Sequence, residues 1–189
     1  MKPEYTPEDF KKIIVPEEEI KEITRRIADE ISEHYKNRKL LVCVILKGAF
    51  IFASDLVRMI KIPLEITFIK ASSYGNASVS ARNIKITEFS DLEAYKDYDI
   101  LVVDDILDSG NTAAYLKEYL GGKGFLNVDF CALLDKPERR EKEIYARYIG
   151  KQTENEFVVG YGLDYAEKYR NLPYIAALDE KIYSGTQHI

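Results

Sequence analysis

Ile20, Ile23, Ile27 and Ile31 recur at helical spacing through PEEEIKEITRRIADEISEHY, which predicts an amphipathic helix. Pro16 stands near its start, and Glu17 to Glu19 suit the positive end of a helix dipole. The pattern then changes. Lys39 to Leu46, KLLVCVIL, is an almost unbroken apolar run with β-branched residues, as expected of a strand buried on both faces. Lys47-Gly48 breaks it. AFIFASDLVRMI follows with helical character, and LEITFIKASSY alternates like another strand. After Tyr74 come the small, polar GNASVSARNIK and the acidic TEFSDLEAY, and Gly75 to Asn83 reads as a mobile loop. Ile100 to Val103 is the next strand and Ala113 to Leu120 the next helix, ended by Gly121 to Gly124. NVDFCALLDK is a strand that stops at Lys136-Pro137, and EFVVGYGLDY and LPYIAAL close the chain as two more short strands.

Strands alternating with helices imply an α/β fold: one domain with a mostly parallel sheet flanked by helices and right-handed crossovers. No repeat, low-complexity tract or linker divides the 189 residues, a length that suits one domain. In such sheets ligands bind at the carboxyl ends of the strands. The residues that fit poorly in a core lie at those ends: Lys47-Gly48, Asp104-Asp105-Asp108, Lys136 and Asp164.

Charge narrows the partners. A net charge of −5 argues against a general nucleic-acid or membrane-surface binder. There is no apolar run of spanning length and no signal-like segment in MKPEYTPEDFKK, so the expectation is a soluble, cytoplasmic protein. Cys43 and Cys131 both sit in apolar runs and read as small buried residues rather than a disulfide or metal site.

The chemistry concentrates in ILVVDDILDSGNTAAYL. Ser109, Gly110, Asn111 and Thr112 form a tight turn into a helix, which directs backbone N–H groups and hydroxyls at one point. With the helix dipole added, that is a site for a phosphate monoester. Asp104 and Asp105 lie beside it. Carboxylates repel phosphate but accept hydrogen bonds from sugar hydroxyls, so the segment can hold a ribose 5-phosphate. A solvated loop with a good helix cap is the plainer reading of a lone DSG.

VVDDILDSGNT resembles the ribose-phosphate signature of the type I phosphoribosyltransferases, which use phosphoribosyl pyrophosphate (PRPP). LKG (Leu46 to Gly48), SSYG (Ser72 to Gly75), LLDKPERR (Leu133 to Arg140) and FVVGYGLDYAEKYRNLPYI (Phe157 to Ile175) resemble the bacterial hypoxanthine-guanine branch, over roughly residues 12 to 183. The chain departs from the family pattern at Asp104, where glutamate is commoner, at Arg82, and at Glu156, where a lysine is usual.

The resemblance implies a single domain over residues 1–189 whose N-terminal segment and C-terminal region form a small base-binding hood, with a lid at about 72–85. It implies transfer of 5-phosphoribosyl from PRPP to N9 of hypoxanthine or guanine. The products are inosine or guanosine monophosphate (IMP or GMP) and pyrophosphate, and Mg2+ is the cofactor. Lys47, Gly48 and Arg170 would contact pyrophosphate, with Asp164 as a magnesium ligand and Asp104 and Asp105 as weaker metal candidates beside the ribose. Asp108 would move the proton at purine N7, Lys136 would meet O6, Phe157 would stack on the base, and Val158 would present its backbone to the N1–C2 edge. Ser73 and Tyr74 would belong to the lid. A homodimer or homotetramer is implied. Two rivals remain at this point: a xanthine- or guanine-preferring enzyme, and a non-catalytic PRPP-sensing regulator on the same fold.

Overall fold

Before its first long helix the chain makes a strand, β1 (Phe10–Val15), and Pro16 then stands as N-cap to α1 (Glu17–His34). The isoleucines of the predicted helix are all buried, and Glu17 to Glu19 occupy its first turn as expected. β2 (Leu40–Leu46), α2 (Phe50–Met59) and β3 (Glu65–Tyr74) follow. Next come β4 (Asn83–Glu88), β5 (Asp99–Leu107), α3 (Asn111–Gly122), β6 (Val128–Asp135) and β7 (Tyr148–Gln152). β8 (Val158–Val159), β9 (Ile175–Leu178) and α4 (Glu180–Tyr183) complete the order. This computed structural model describes residues 6–74 and 83–184.

Six strands make one sheet in the order β4-β3-β2-β5-β6-β7, parallel except for the antiparallel β3–β4 pair. The two faces follow from the period of two in a strand. Leu40, Val42 and Val44 of β2 and Leu101 and Val103 of β5 pack with α1 and α2 on one face. Leu41, Cys43 and Ile45 with Ile100 and Val102 pack with α3 on the other. A strand that feeds two cores needs an apolar residue at every position, which is why KLLVCVIL does not alternate. Cys43 and Cys131 are both free and buried. No helix among the described residues is long and apolar enough to cross a membrane.

β1, β9 and β8 form a second, antiparallel sheet of three strands. It joins the first core through Val15, Val158 and Ile175, which lie in the same cluster as the α1 isoleucines. Lys151 on β7 ties the two sheets by donating to the Ile14 carbonyl at 3.1 Å and pairing with Glu19 at 2.7 Å.

Several expectations change. EFVVGYGLDY is not one strand: only Val158 and Val159 form a strand, and Gly160 and Leu163 make an isolated bridge to each other. Gly160 and Gly162, at φ of 100° and 102°, then turn the chain where a side chain would be strained. The expected loop from Gly75 to Asn83 lies outside the described residues, except for Asn83, which begins β4. Ser72, Ser73 and Tyr74 are in β3, paired in register with Lys85, Ile84 and Asn83 of β4. Gly75 and Arg82 lie outside the described residues. α3 runs on through Gly121 and Gly122, and the chain leaves it at Gly124 with φ of 90°. β1, β4 and β7 give no strong sequence signal, because each is an edge or short strand with mixed polar positions.

Leu101 is fully buried on β5, in the core shared with α1 and α2. Leu101→Ala should cost about 2–5 kcal/mol through lost burial and a residual cavity. Urea unfolding reads this as a lower midpoint with an unchanged slope, and an unshifted midpoint would contradict the packing described.

Candidate active site

The order of the sheet locates a crevice. The chain adds β3 and β4 on one side of β2, then crosses to add β5 on the other. α2 leaves the end of β2 toward one face and α3 leaves β5 toward the other. The carboxyl ends of β2 and β5 therefore border a gap, the place where doubly wound sheets hold ligands.

From β2 the gap receives Lys47 and Gly48, and the Leu46–Lys47 peptide bond is cis. Gly48 lies against β5: a Cβ there would meet Asp105 Oδ2 at 1.7 Å. Gly162 lies equally close from the other side, since its Cβ would meet the Gly48 carbonyl at 2.1 Å. The Asp105 carboxylate thus lies against the Gly48 backbone, and the Gly48 and Gly162 backbones meet as glycine allows.

β5 supplies Asp104 and Asp105, both half-buried. Asp104 Oδ1 accepts from the Asp105 N–H at 3.0 Å, and Asp105 Oδ1 accepts from the Ile106 N–H at 3.0 Å. Burial and the charge of Asp105 push Asp104 well above the usual carboxylate range, and burial raises Asp105 as well. Two adjacent acids in that setting hold on to a proton.

The turn after β5 enters α3 through Gly110, which is the N-cap at φ of 82°. A Cβ on Gly110 would also strike Ile144 at 2.6 Å. Ala114 is the first residue to donate to a carbonyl of this turn, that of Gly110, at 2.9 Å. The first-turn N–H groups ahead of it have no intrahelical partner and face the anion-favouring end of the dipole. Asp104, Ile106, Leu107, Asp108, Ser109 and Thr112 are among the residues lining a cleft of about 260 Å³, counted with its open mouth. Since Gly110 is the cap, Asp108 is not. Its Oδ1 instead lies 3.1 Å from Arg139 Nε.

β6 ends in Asp135, and Lys136 follows it, only 4% exposed. That excludes a surface lysine. Its ammonium donates to the Glu156 carbonyl at 2.5 Å. Burial lowers its pKa, with the charge of Asp108 acting in the opposite sense. Phe157 is 41% exposed and precedes β8, so it is not strand core. It stacks on Tyr183 with ring centroids 5.2 Å apart. Val158 is buried and pairs with Ala177.

The segment after β8 gathers the remaining charges. Arg170 donates to the Gly162 carbonyl at 2.7 Å and pairs with Asp164 at 2.8 Å. Asp164 Oδ2 accepts from the Glu167 N–H at 2.9 Å. Glu167 then receives Lys47 at 3.0 Å and Arg170 at 3.3 Å, and these cations, Lys47 first, hold its carboxyl below the usual range. Ala166, Glu167 and Tyr169 all have positive φ. The sequence carries no signal for Glu167 at this place, because a left-handed glutamate is unusual.

One crevice therefore brings together Lys47, Gly48, Asp104, Asp105, Ser109 to Thr112, Asp164 and Arg170, with Asp108 and Lys136 at its β6 side. A family model described as the phosphoribosyl transferase domain matches residues 12–166. The chain belongs to the phosphoribosyltransferase family.

A hypoxanthine-guanine phosphoribosyltransferase of Bacillus subtilis is 41% identical over 177 residues, covering 94% of this chain and 98% of the relative. The bifunctional protein TilS/HprT of Listeria monocytogenes is 45% identical over 177 residues; this chain spans only 27% of that relative's length. A crystal structure of a Staphylococcus aureus hypoxanthine phosphoribosyltransferase superposes with a TM-score of 0.87 at 38% identity, covering 93% of this chain and 95% of that one.

The raised pKa values of Asp104 and Asp105 have a sign that can be tested. A carboxyl whose pKa is higher in the folded than in the unfolded chain costs stability once it ionises. The cost is absent below about pH 4, the unfolded value, and grows as the pH rises above it. Asp104→Asn should therefore raise the unfolding midpoint near pH 7 and leave it almost unchanged near pH 3, measured without substrates. A variant destabilised at neutral pH would show that the pair is not under this strain.

Proposed function

We propose that the chain transfers the 5-phosphoribosyl group of PRPP to N9 of hypoxanthine or guanine, giving IMP or GMP and pyrophosphate. The observation that carries this reading is Lys136. A buried lysine directly follows the strand next to β5, within reach of the charge of Asp108 in the phosphate-type turn. This supports reading the crevice as a sugar-phosphate site with a buried hydrogen-bond donor beside it.

In this reading the N–H groups and hydroxyls of Ser109, Gly110, Asn111 and Thr112 hold the 5-phosphate, and Asp104 and Asp105 accept from the ribose 2- and 3-hydroxyls. Lys47, Gly48 and Arg170 receive the pyrophosphate, which competes with Glu167 for the two cations. N9 attacks the ribose C1 as the bond from C1 to the pyrophosphate oxygen breaks. The base gives up a proton, which Asp108 takes at N7. Lys136 donates to O6, so it accepts a 6-oxopurine and opposes the donor amino group of adenine. Phe157 offers its exposed ring to the base, and the backbone of Val158 meets the N1–C2 edge. β1, β8 and β9 are then the base-binding hood, and Ser73 and Tyr74 at the end of β3 are the base of a lid that excludes water.

Mg2+ fits the donor set. Asp104 and Asp105 are adjacent hard-oxygen donors whose repulsion a dication relieves, and Asp164 lies beside the cations that would face pyrophosphate. Magnesium takes few protein carboxylates and relies on substrate oxygens. When bound it offsets the charge of the leaving pyrophosphate.

Two buried free thiols suit a reducing, cytoplasmic setting. Ile66 and Phe68 on β3 and the adjoining Phe89 are exposed, which supports self-association as a dimer or tetramer.

Pyrophosphate release should be measured with PRPP, Mg2+ and each of four bases. Hypoxanthine and guanine should react, while adenine should be poorer by about 10⁴-fold, the scale on which a site rejects a mismatched polar group. Excess EDTA should abolish the reaction. Efficient use of adenine would overturn the assignment of Lys136, a preference for xanthine would favour the rival enzyme, and no transfer to any base would leave a regulator.

Asp108→Asn keeps the shape of the side chain but cannot exchange a proton. Turnover should fall roughly 10²–10³-fold, the usual scale for acid–base catalysis, with the KM for PRPP nearly intact. Undiminished turnover would remove Asp108 from the chemistry.

A further inference from the structure

The turn between β5 and α3 is held from behind. Arg140 Nη1 donates to two successive carbonyls, Leu107 at 3.1 Å and Asp108 at 2.6 Å. Its Nη2 pairs with Asp135, a buried acid at the end of β6. The Leu107 carbonyl also accepts from the Lys136 N–H at 3.0 Å. The next carbonyl, that of Ser109, accepts from the Glu141 and Lys142 N–H groups at 2.9 and 3.2 Å. Leu107, Asp108 and Ser109 thus all turn their carbonyl oxygens toward residues 136–142. The Arg140 side chain is only 16% exposed, and its Cδ would lie 3.1 Å from a Cβ placed on Gly110.

Peptide planarity gives this arrangement a consequence. In a trans peptide the C=O of one residue and the N–H of the next point in opposite directions. Drawing the Asp108 carbonyl back to Arg140 turns the Ser109 N–H forward. Drawing the Ser109 carbonyl back turns the Gly110 N–H forward. Both then point away from residues 136–142, and Ser109, Gly110 and Thr112 are among the residues lining the cleft. Left to itself, a short turn such as Asp108–Gly110 can flip these peptides, and a carbonyl aimed at a phosphate repels it. Asp135 neutralises the guanidinium, so Arg140 contributes geometry rather than net charge.

We propose that Arg140 is a positioning residue that presets the anion-binding turn for the 5-phosphate without touching the substrate. The inference rests on the phosphate role given above to Ser109–Thr112. Its signature is selective. Losing Arg140 should weaken ligands that carry a 5-phosphate and spare those that lack one.

The test compares native protein with Arg140→Met, using calorimetric binding of IMP and of inosine together with steady-state kinetics. Replacing a charged donor that serves two carbonyls should cut IMP affinity roughly 10- to 100-fold. Inosine affinity should change less than about threefold. The KM for PRPP should rise by the same factor as IMP weakens, with kcat affected less. Added guanidinium ion should restore part of the loss, and Arg140→Lys should fall between the two.

If Arg140→Met fails to fold because Asp135 is left unpaired, the double variant Asp135→Asn/Arg140→Met removes both charges. It should show the same selective loss. Equal weakening of IMP and inosine, or an unchanged IMP affinity and KM, would overturn the proposal. Failure of the functional reading looks different: the native protein would then release no pyrophosphate with any base.

Discussion

The parallel pairing of β2 with β5 is the contact on which the rest of the molecule depends. These strands are neighbours in the sheet but not consecutive in the chain, so the helices that follow them depart to opposite faces. Helices that part in this way leave the strand ends open to solvent. Gly48, Asp105 and Gly162 then close on one another at distances that exclude a Cβ at either glycine. A side chain at Gly48 would displace the Asp105 carboxylate, and one at Gly162 would displace Gly48. Sheet order, strand ends and glycine contacts thus define one structure, and the acids and cations of the crevice are placed by it.

Charge in this crevice is balanced within the chain. Lys47 and Arg170 share Glu167, Arg170 also holds Asp164, and Lys136 has the Glu156 carbonyl. Asp104 and Asp105 form no ion pair among the described residues; burial raises both, the charge of Asp105 adds to the rise at Asp104, and the charge of Arg170 offsets only part of it at Asp105. A folded chain does not keep two half-buried neighbouring carboxylates for stability, since burial and repulsion both disfavour their charge. Cations and hydroxyl donors favour that charge, which is the chemistry of a ribose with a divalent ion. On the proposed reading this strain would lie at the ribose site, and functional positions are where local rules are most often broken.

The sequence made the central sheet legible because its strands are extreme. LLVCVIL and ILVV are apolar at every position, and only a strand buried on both faces needs that. The turn DSGNT was legible for a related reason: small residues with φ freedom and hydroxyls have few other uses after a buried strand. β1, β4 and β7 were not legible, since edge strands tolerate polar residues on the open side. The EFVVGYGLDY segment misled because its apolar residues are spent on turns around Gly160 and Gly162 and on packing under the second sheet. Glu167 and Arg140 escaped notice because their importance lies in what they touch. A glutamate in an exposed segment and an arginine after PER carry no pattern that points to a carbonyl or an ammonium far along the chain.

The crevice is built from two bodies, and that division bears on how its two halves can vary. The turn, Asp104, Asp105 and Lys47 all stand on the large sheet, where parallel pairing and two cores fix them. Val158 belongs to the three-stranded sheet and Phe157 leads into it; among the described residues Lys151 ties that sheet to the large one through the Ile14 carbonyl, Lys136 reaches the Glu156 carbonyl, and Lys12 of β1 pairs with Glu156 at 3.2 Å. Glu156 stands at the junction, accepting from β1 through its side chain and from the end of β6 through its backbone. Changes in the small sheet can therefore move the surface that would meet a base while the turn at Ser109–Thr112 stays held by Arg140 from behind. A change at β5 or Gly48 has no such freedom, because it disturbs the pairing that both halves require. Lys136 and Lys151 both reach from the large sheet toward the small one, and on the proposed reading Lys136 would put the choice of base at the seam between the two sheets.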